Sequence, residues 1–152
     1  MSQEKEINKA IIHLSAHDYA MSRIIKKFGK CNLRPHRQYF NSLLEAIIGQ
    51  QLSLKSAAAI NKRLMERFKN KPTPAEIISI SKDDLKKIGL SNAKIKYVKD
   101  LSDKLETGEI NLKGISKRSD EEIIAQLTKV KGIGLWTAHM FLIFTLGRLN
   151  VL

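Results

Sequence analysis

The residues with the clearest chemistry are two glycines that bracket one apolar residue, Gly132-Ile133-Gly134. We expect Ile133 to point inward, while Gly132 and Gly134 adopt backbone angles that other residues resist and leave their amides bare. Because a helix follows, these N–H groups lie at its positively polarised N-terminus and form an anion site without side chains. Lys131 adds a mobile cation beside them. The pattern therefore favours phosphate binding, although glycines also serve in ordinary corners between helices.

Two soft side chains follow the glycines on one helical face. Trp136 and Met140 are four residues apart, so they lie one turn above each other. An aromatic face attracts cations, and a polarizable thioether fits an irregular pocket wall. The spacing by itself, however, favours the protein core for both residues.

Other polar candidates carry weaker indications. His13 and His17 have the spacing of two zinc ligands on a helix, but no third ligand is evident nearby, so we predict no metal site. Lys94 and Lys96 begin a predicted helix, where they either contact phosphate or face solvent.

The charge balance points to a polyanionic partner. Lys plus Arg number 27 and Asp plus Glu number 15, which gives a formal net charge of +12. Clustered cations gain affinity by releasing counterions from phosphate, although a merely soluble basic protein fits the charge equally well. A single cysteine, Cys31, excludes a disulfide framework, a cysteine zinc site and an iron–sulfur cluster. We expect an intracellular protein without a membrane span, because the N-terminus lacks a signal-peptide stretch and the apolar run Phe141–Phe144 is short.

Helices must position these residues, since no segment alternates with period two for long. We predict that helices begin at six capping residues, Asp18, Ser53, Thr73, Ser81, Ser91 and Ser119. We predict that Gly29, Gly89 and Gly108 follow helix ends.

Apolar stripes supply the core of this predicted fold. They comprise Leu43, Ile47 and Ile48; Leu54, Ala57, Ile60, Leu64 and Phe68; and Ile95, Val98, Leu101 and Leu105. A last helix from Trp136 to Leu146 is apolar nearly all round, so we expect it to be buried. The prediction is an all-α fold, a single compact domain of short helices with a helix-hairpin-helix motif.

Several segments together resemble one family. Val130–Ala138 resembles the hairpin of the DNA-3-methyladenine glycosylase II branch of the helix-hairpin-helix (HhH-GPD) superfamily of DNA glycosylases. Leu33–Arg37, Ala46–Ser53 and Gly89–Ile95 resemble further segments of that branch, in the same order. The similarity extends from about residue 11 to the end of the chain.

The resemblance implies a monofunctional DNA glycosylase of base excision repair. Such an enzyme extrudes an alkylated purine of the 3-methyladenine type from duplex DNA and hydrolyses its N-glycosidic bond. The resemblance assigns Trp136 and Met140 to the base pocket, and Gln51 matches the residue that fills the space left in the minor groove. It implies DNA contacts by Gln50, Gln51, Lys131, Gly132, Ile133, Gly134 and Thr137. For Gln50 and Gln51 the alternative is loop capping between two helices.

The resemblance also indicates the nucleophile of the reaction and the binding partner. The glycosylase–lyases of the superfamily carry a Schiff-base lysine where this chain has Trp136, so water is the expected nucleophile. We expect no cofactor. The expected partner is double-stranded DNA containing damaged bases, in the cytoplasm and nucleoid or, in a eukaryote, the nucleus.

The catalytic residue is unknown. In the family an aspartate shortly after the second hairpin helix stabilises the positive charge that develops on the deoxyribose, and we expect it beyond Leu152. Residues 1–152 are thus expected to form a glycosylase domain that lacks the family's C-terminal helices. The aspartates present are expected at caps or solvated helix faces: Asp18, Asp83, Asp84, Asp100, Asp103 and Asp120. The alternative function is a non-catalytic DNA-binding module or an inactive glycosylase fragment.

Overall fold

The computed structural model describes residues 3–151, and every regular element in that range is helical. The α-helices are α1 (Gln3–His17), α2 (Tyr19–Phe28), α3 (Tyr39–Gly49), α4 (Leu54–Arg67), α5 (Pro74–Ser79), α6 (Lys82–Ile88), α7 (Asn92–Glu106), α8 (Asp120–Leu127) and α9 (Leu135–Met140). A 3-10 turn, Ile115–Lys117, precedes α8, and a π-helical turn, Phe141–Thr145, continues α9. The all-α prediction is confirmed. Across this range no helix combines the length and apolar character needed to cross a bilayer.

Side-chain caps begin most helices where the sequence predicts. Six side chains each accept the backbone N–H of the third residue after them: Asp18, Ser53, Thr73, Ser81, Ser91 and Ser119. Glu76 and Glu122 complete reciprocal capping boxes at the starts of α5 and α8. Each cap satisfies donors that a helix end otherwise leaves without a partner, so these starts are fixed locally.

The contacts within the chain are concentrated in two compact units, one ending at Arg34 and the other beginning at Pro35. The sequence analysis predicts one domain over residues 1–152. The first unit contains α1 and α2, which pack against each other. The rings of His13 and His17 stack 4.4 Å apart, and His17 Nδ1 donates to the His13 carbonyl oxygen at 2.9 Å. The described residues contain no group of three side chains placed to hold a metal ion.

The second unit has a core of leucine and isoleucine side chains. α3 contributes four fully buried residues, Leu43, Leu44, Ile47 and Ile48. α7 contacts α3, α5 and α6, and it buries Ile95, Val98 and Leu101 as its predicted stripe requires. α8 packs against α9, and the two form the hairpin that contains the candidate site.

Two predicted apolar faces differ from the structure. Leu54, expected on the buried face of α4, is 91% exposed, whereas Ile60 and Leu64 on the same helix are buried. The helix expected from Trp136 to Leu146 is α9 followed by the π-helical turn, and Trp136 and Phe144 are 73% and 58% exposed. Periodicity identifies an apolar face, but it does not tell how far neighbouring helices extend to cover it.

The Thr73–Glu76 capping box makes the free energy of unfolding depend on pH in the acidic range. Hydrogen bonds from the Thr73 hydroxyl and then from its backbone N–H hold the pKa of the Glu76 carboxyl below its ordinary value of 4.5. A depressed pKa contributes stability that is present above the ordinary value and is lost as the pH falls through the folded value. We therefore expect the stability advantage of the parent chain over Glu76→Gln to shrink below pH 4.5, as measured by urea unfolding at several pH values. A difference that stays constant from neutral pH to pH 3 would contradict this expectation.

Candidate nucleic-acid interface

The connection between α8 and α9, residues 128–134, is called the corner below. Its shape depends on one buried side chain and one unusual backbone angle. Ile133 is 3% exposed, as predicted, and its N–H donates to the Val130 carbonyl at 3.0 Å. Gly132 has φ +84°, in the left-handed region that favours glycine. The expectation of a special angle at Gly134 is wrong, because this residue has φ −92° and ψ 179°, an extended N-cap conformation.

Gly132 also lacks room for a side chain. A Cβ atom built on it would lie 2.3 Å from Cδ2 of Tyr97, so the tyrosine ring occupies the volume that any other residue would need. A Cβ atom at Gly134 would have none of the surrounding atoms within 4 Å. The corner therefore requires glycine at 132 for both backbone and packing, while at 134 glycine serves only to leave the amide uncovered.

The amides of the corner remain available for a ligand. At this corner, no protein acceptor within residues 3–151 is found for the backbone N–H groups of Gly132, Gly134, Leu135, Trp136 and Thr137. Gly134 and Trp136 are exposed, so solvent or a ligand reaches this end of α9. Free N–H groups at a helix start, where positive partial charge collects, favour an anion such as a phosphate.

Lys131 is joined to α7 through its backbone and has an exposed side chain. Its backbone N–H donates to Asp100 Oδ2 at 2.9 Å, and its Nζ lies 3.5 Å from Asp100 Oδ1. The side chain of Asp100 is 15% exposed, so the expectation that this aspartate lies on a solvated helix face is wrong. Asp100 belongs to α7 and anchors the start of the corner, while the Lys131 ammonium stays largely in solvent.

The loop after α3 lies against the same corner. Gln50 Nε2 donates to the Gly132 carbonyl at 2.7 Å and contacts Thr137 Oγ1 at 3.4 Å. Residues Gly49–Leu52 form a type II turn, closed by the Leu52 N–H donating to the Gly49 carbonyl at 3.2 Å. Gln51 occupies its third position with φ +56° and is exposed. Gln50 thus has the loop-capping contacts that were its alternative role, whereas Gln51 extends the loop into solvent.

Lys94 joins this loop to α7. Its Nζ donates to the carbonyl oxygens of Ile48 at 2.6 Å and Gln50 at 2.9 Å. Burial lowers the pKa of this ammonium. Of the two expectations for Lys94, a phosphate contact or a solvated face, the structure matches neither, because the cation is directed at the C-terminal carbonyls of α3.

These elements enclose a cleft of about 660 Å³. It is lined by Ala46, Gly49, Gln50, Gln51, Tyr97, Gly132, Trp136, Thr137 and Met140. Trp136 and Met140, proposed for one pocket wall, thus share the cleft with four of the residues proposed to contact DNA. Trp136 is 73% exposed, which removes the alternative of a core tryptophan.

Tyr97 is a cleft residue that the sequence analysis missed. It lies on α7 among the buried residues Ile95, Val98 and Leu101, and a half-buried tyrosine on an apolar stripe looks like a core residue in a sequence.

The cleft residues include no carboxylate. Asp120, a second aspartate expected at a cap or solvated face, has its Oδ1 2.9 Å from Arg148 Nε in an ion pair.

Comparison with known proteins identifies the group to which this arrangement is related. Residues 44–148 match the family model described as HhH-GPD superfamily base excision DNA repair protein. The chain is 34% identical over 158 residues to the alkylbase DNA glycosidase-like protein mag2 of Schizosaccharomyces pombe, covering 100% of this chain and 74% of that protein. It is 37% identical over 163 residues to DNA-3-methyladenine glycosylase 1 of the same organism, covering 99% and 71%.

A solved structure gives the same relationship at the level of the fold. The Schizosaccharomyces pombe 3-methyladenine DNA glycosylase in complex with abasic DNA superposes with a TM-score of 0.83 and 36% sequence identity. The match covers 95% of this chain and 73% of that chain. The resemblance found in the sequence is confirmed.

The two glycines of the corner should respond differently to alanine. Gly132→Ala places a Cβ in the Tyr97 ring and an L-residue at φ +84°, so we expect it to lower the free energy of unfolding by about 2–4 kcal/mol. Gly134→Ala meets open space at an ordinary backbone angle, so we expect a cost of about 1 kcal/mol or less. Chemical denaturation of the two variants measures the difference, and equal losses would contradict the assigned roles.

Proposed function

We propose that this chain, which belongs to the HhH-GPD superfamily of base excision DNA repair proteins, acts as a monofunctional DNA glycosylase that removes alkylated purines of the 3-methyladenine type from duplex DNA. The relatives named for alkylated bases support the substrate class. The partner is double-stranded DNA containing damaged bases, and the site of action is the cytoplasm and nucleoid or, in a eukaryote, the nucleus. We retain the assignment of residues 1–152 to a glycosylase domain.

The observation that carries the proposal is an exposed tryptophan on the wall of a cleft that also contains the corner. An indole that is 73% exposed and lines a cleft can offer its ring to a ligand. Purines methylated at a ring nitrogen are cationic, and the face of an aromatic ring attracts cations by electrostatics. Trp136 and Met140 therefore suit an extruded methylpurine in chemistry as well as in position.

The corner and the loop supply the remaining contacts for base extrusion. The free amides of Gly132 and Gly134 suit one backbone phosphate, which holds the strand in register without reading its sequence. Gln51, exposed on its turn, suits the space that the base leaves in the stack. Extrusion of a nucleotide costs a few kcal/mol, so contacts on both sides of the vacated position are needed to offset it.

Water is the nucleophile in this proposal. Its oxygen forms a bond to C1′ as the N-glycosidic bond breaks, the bonding pair leaves with the base nitrogen, and the water loses a proton to the solvent. A cationic base departs as a neutral molecule, so strong acid catalysis is not required. The cleft lining contains no lysine for a Schiff base, which supports the monofunctional interpretation. We assign no aspartate of this chain to the carboxylate that would stabilise the sugar cation.

A second candidate is a DNA-binding module that recognises the lesion without cleaving the glycosidic bond. The lack of a carboxylate among the cleft residues favours this alternative for the described part of the chain. Chromatographic detection of free methylpurines released from methylated duplex DNA separates the two candidates. Release supports the glycosylase, and lesion-selective binding without release supports the module.

Trp136→Ala tests the base pocket. We expect this change to reduce the preference for a duplex with one 7-methylguanine over an undamaged duplex by about tenfold, because a cation–π contact contributes roughly 1–2 kcal/mol. Phe144→Ala is the matched control, since Phe144 is also an exposed aromatic but does not line the cleft. Fluorescence anisotropy measures both affinities. Retention of the full preference by Trp136→Ala, or an equal loss in Phe144→Ala, would overturn the pocket assignment.

A further inference from the structure

Gln51 is held in a conformation that its own residue type disfavours. A non-glycine residue at φ +56° is less stable than the same residue at an ordinary backbone angle, and the third position of a type II turn favours glycine. Such a conformation persists only where its surroundings over-determine it. The surroundings of this turn are therefore informative about which residues set the position of the Gln51 side chain.

Hydrogen bonds to Lys94 of α7 and to Gly132 of the corner restrain the turn that contains Gln50 and Gln51. Lys94 Nζ binds the Ile48 carbonyl, one residue before the turn, and the Gln50 carbonyl, inside it. The side chain of Gln50 binds the Gly132 carbonyl of the corner at 2.7 Å. None of the ion pairs found within residues 3–151 involves Lys94, so these carbonyls are the groups that compensate its charge.

The opposite part of the same face of α7 anchors the corner. Tyr97 packs against Gly132, and Asp100 accepts the Lys131 N–H at 2.9 Å. Residues three apart on a helix lie on adjacent turns of one face, so Lys94, Tyr97 and Asp100 form one row. One rigid helix thus contacts the loop at one end of the row and the corner at the other.

We propose that Lys94 is a positioning residue that fixes the strained Gln51 turn at a set distance from the Gly132 corner, so that one loop enters the DNA stack where the other holds the strand. This inference rests on the proposed function. Lys94 does not touch the base; it acts through Gln51. Its loss therefore impairs base extrusion more than binding to undamaged DNA, which depends on phosphate contacts that do not involve the turn.

Lys99 provides a matched control on the same helix. Its Nζ donates to the Ile78 and Ile80 carbonyls at 2.8 Å each, at the C-terminal end of α5 and outside the cleft. Lys94 and Lys99 thus make the same kind of contact, an ammonium bound to two terminal carbonyls of a packed helix. A purely structural role for Lys94 predicts the same consequences for both substitutions.

The first experiment requires no DNA. Hydrogen exchange is compared at the Leu52 amide, whose N–H closes the Gln51 turn, in the parent chain, Lys94→Met and Lys99→Met. We expect at least tenfold faster exchange at Leu52 in Lys94→Met than in Lys99→Met, with similar global stability. Equal exchange in the two variants would overturn the proposal. If Lys94→Met does not fold, Lys94→Gln and Lys99→Gln, which each retain a donor, replace the pair and are judged by the same criterion.

The second experiment measures base extrusion by the fluorescence of 2-aminopurine placed next to a 7-methylguanine in a duplex. We expect the parent chain and Lys99→Met to raise the fluorescence, Lys94→Met to lose about tenfold in this response, and Lys94→Arg to restore much of it. In a Gln51→Ala background Lys94→Met should add no further loss. An additive loss there, or a full response from Lys94→Met, would contradict the inference, whereas no response from the parent chain would contradict the proposed function instead.

Discussion

The close packing of the Tyr97 ring against Gly132 is the constraint on which the site depends. Because Gly132 has no side chain, the corner can pack directly against the Tyr97 ring of α7. The Gly132 carbonyl then lies within hydrogen-bond distance of the Gln50 side-chain amide. The amides of the corner that lack protein acceptors lie in the same chain segment as the exposed Trp136. Substitution of Gly132 would therefore alter the corner, the loop after α3 and the cleft together.

The features that stabilise the fold and those that suit DNA lie in different places. The fold is stabilised by buried aliphatic residues of α3 and α7 and by local caps, in which polar groups are satisfied. The cleft instead contains an exposed indole, amides without acceptors and a glutamine at φ +56°. Under the proposed function, a bound nucleotide strand would cover the indole and supply an acceptor for the amides. Such local departures from the rules of folding are expected at functional sites.

The sequence predicts what depends on local chemistry and misses what depends on distant partners. The caps at Asp18 and Ser119, the buried Ile133 and the special angle at Gly132 follow from residues within a few positions of each other. The partners of Lys94 and Lys131 are 44 to 46 and 31 residues away in the chain, so their engagement was not predictable from spacing. Helix α1 was also missed, because its apolar pattern is weak. For Trp136, periodicity favoured the core and the family resemblance favoured a base pocket, and the structure places the residue, 73% exposed, in the cleft lining.

The most direct test of the account is the response of the corner amides to DNA, observed by ¹H–¹⁵N correlation spectra during titration with a duplex that contains an abasic site. If the corner holds a phosphate, the Gly132 and Gly134 signals shift most and move downfield, as expected for N–H groups that acquire an anionic acceptor. The Gly108 and Gly114 signals, from glycines outside the cleft, serve as references and stay in place. Unchanged Gly132 and Gly134 signals at saturating DNA, with shifts confined to other basic parts of the surface, would contradict the account.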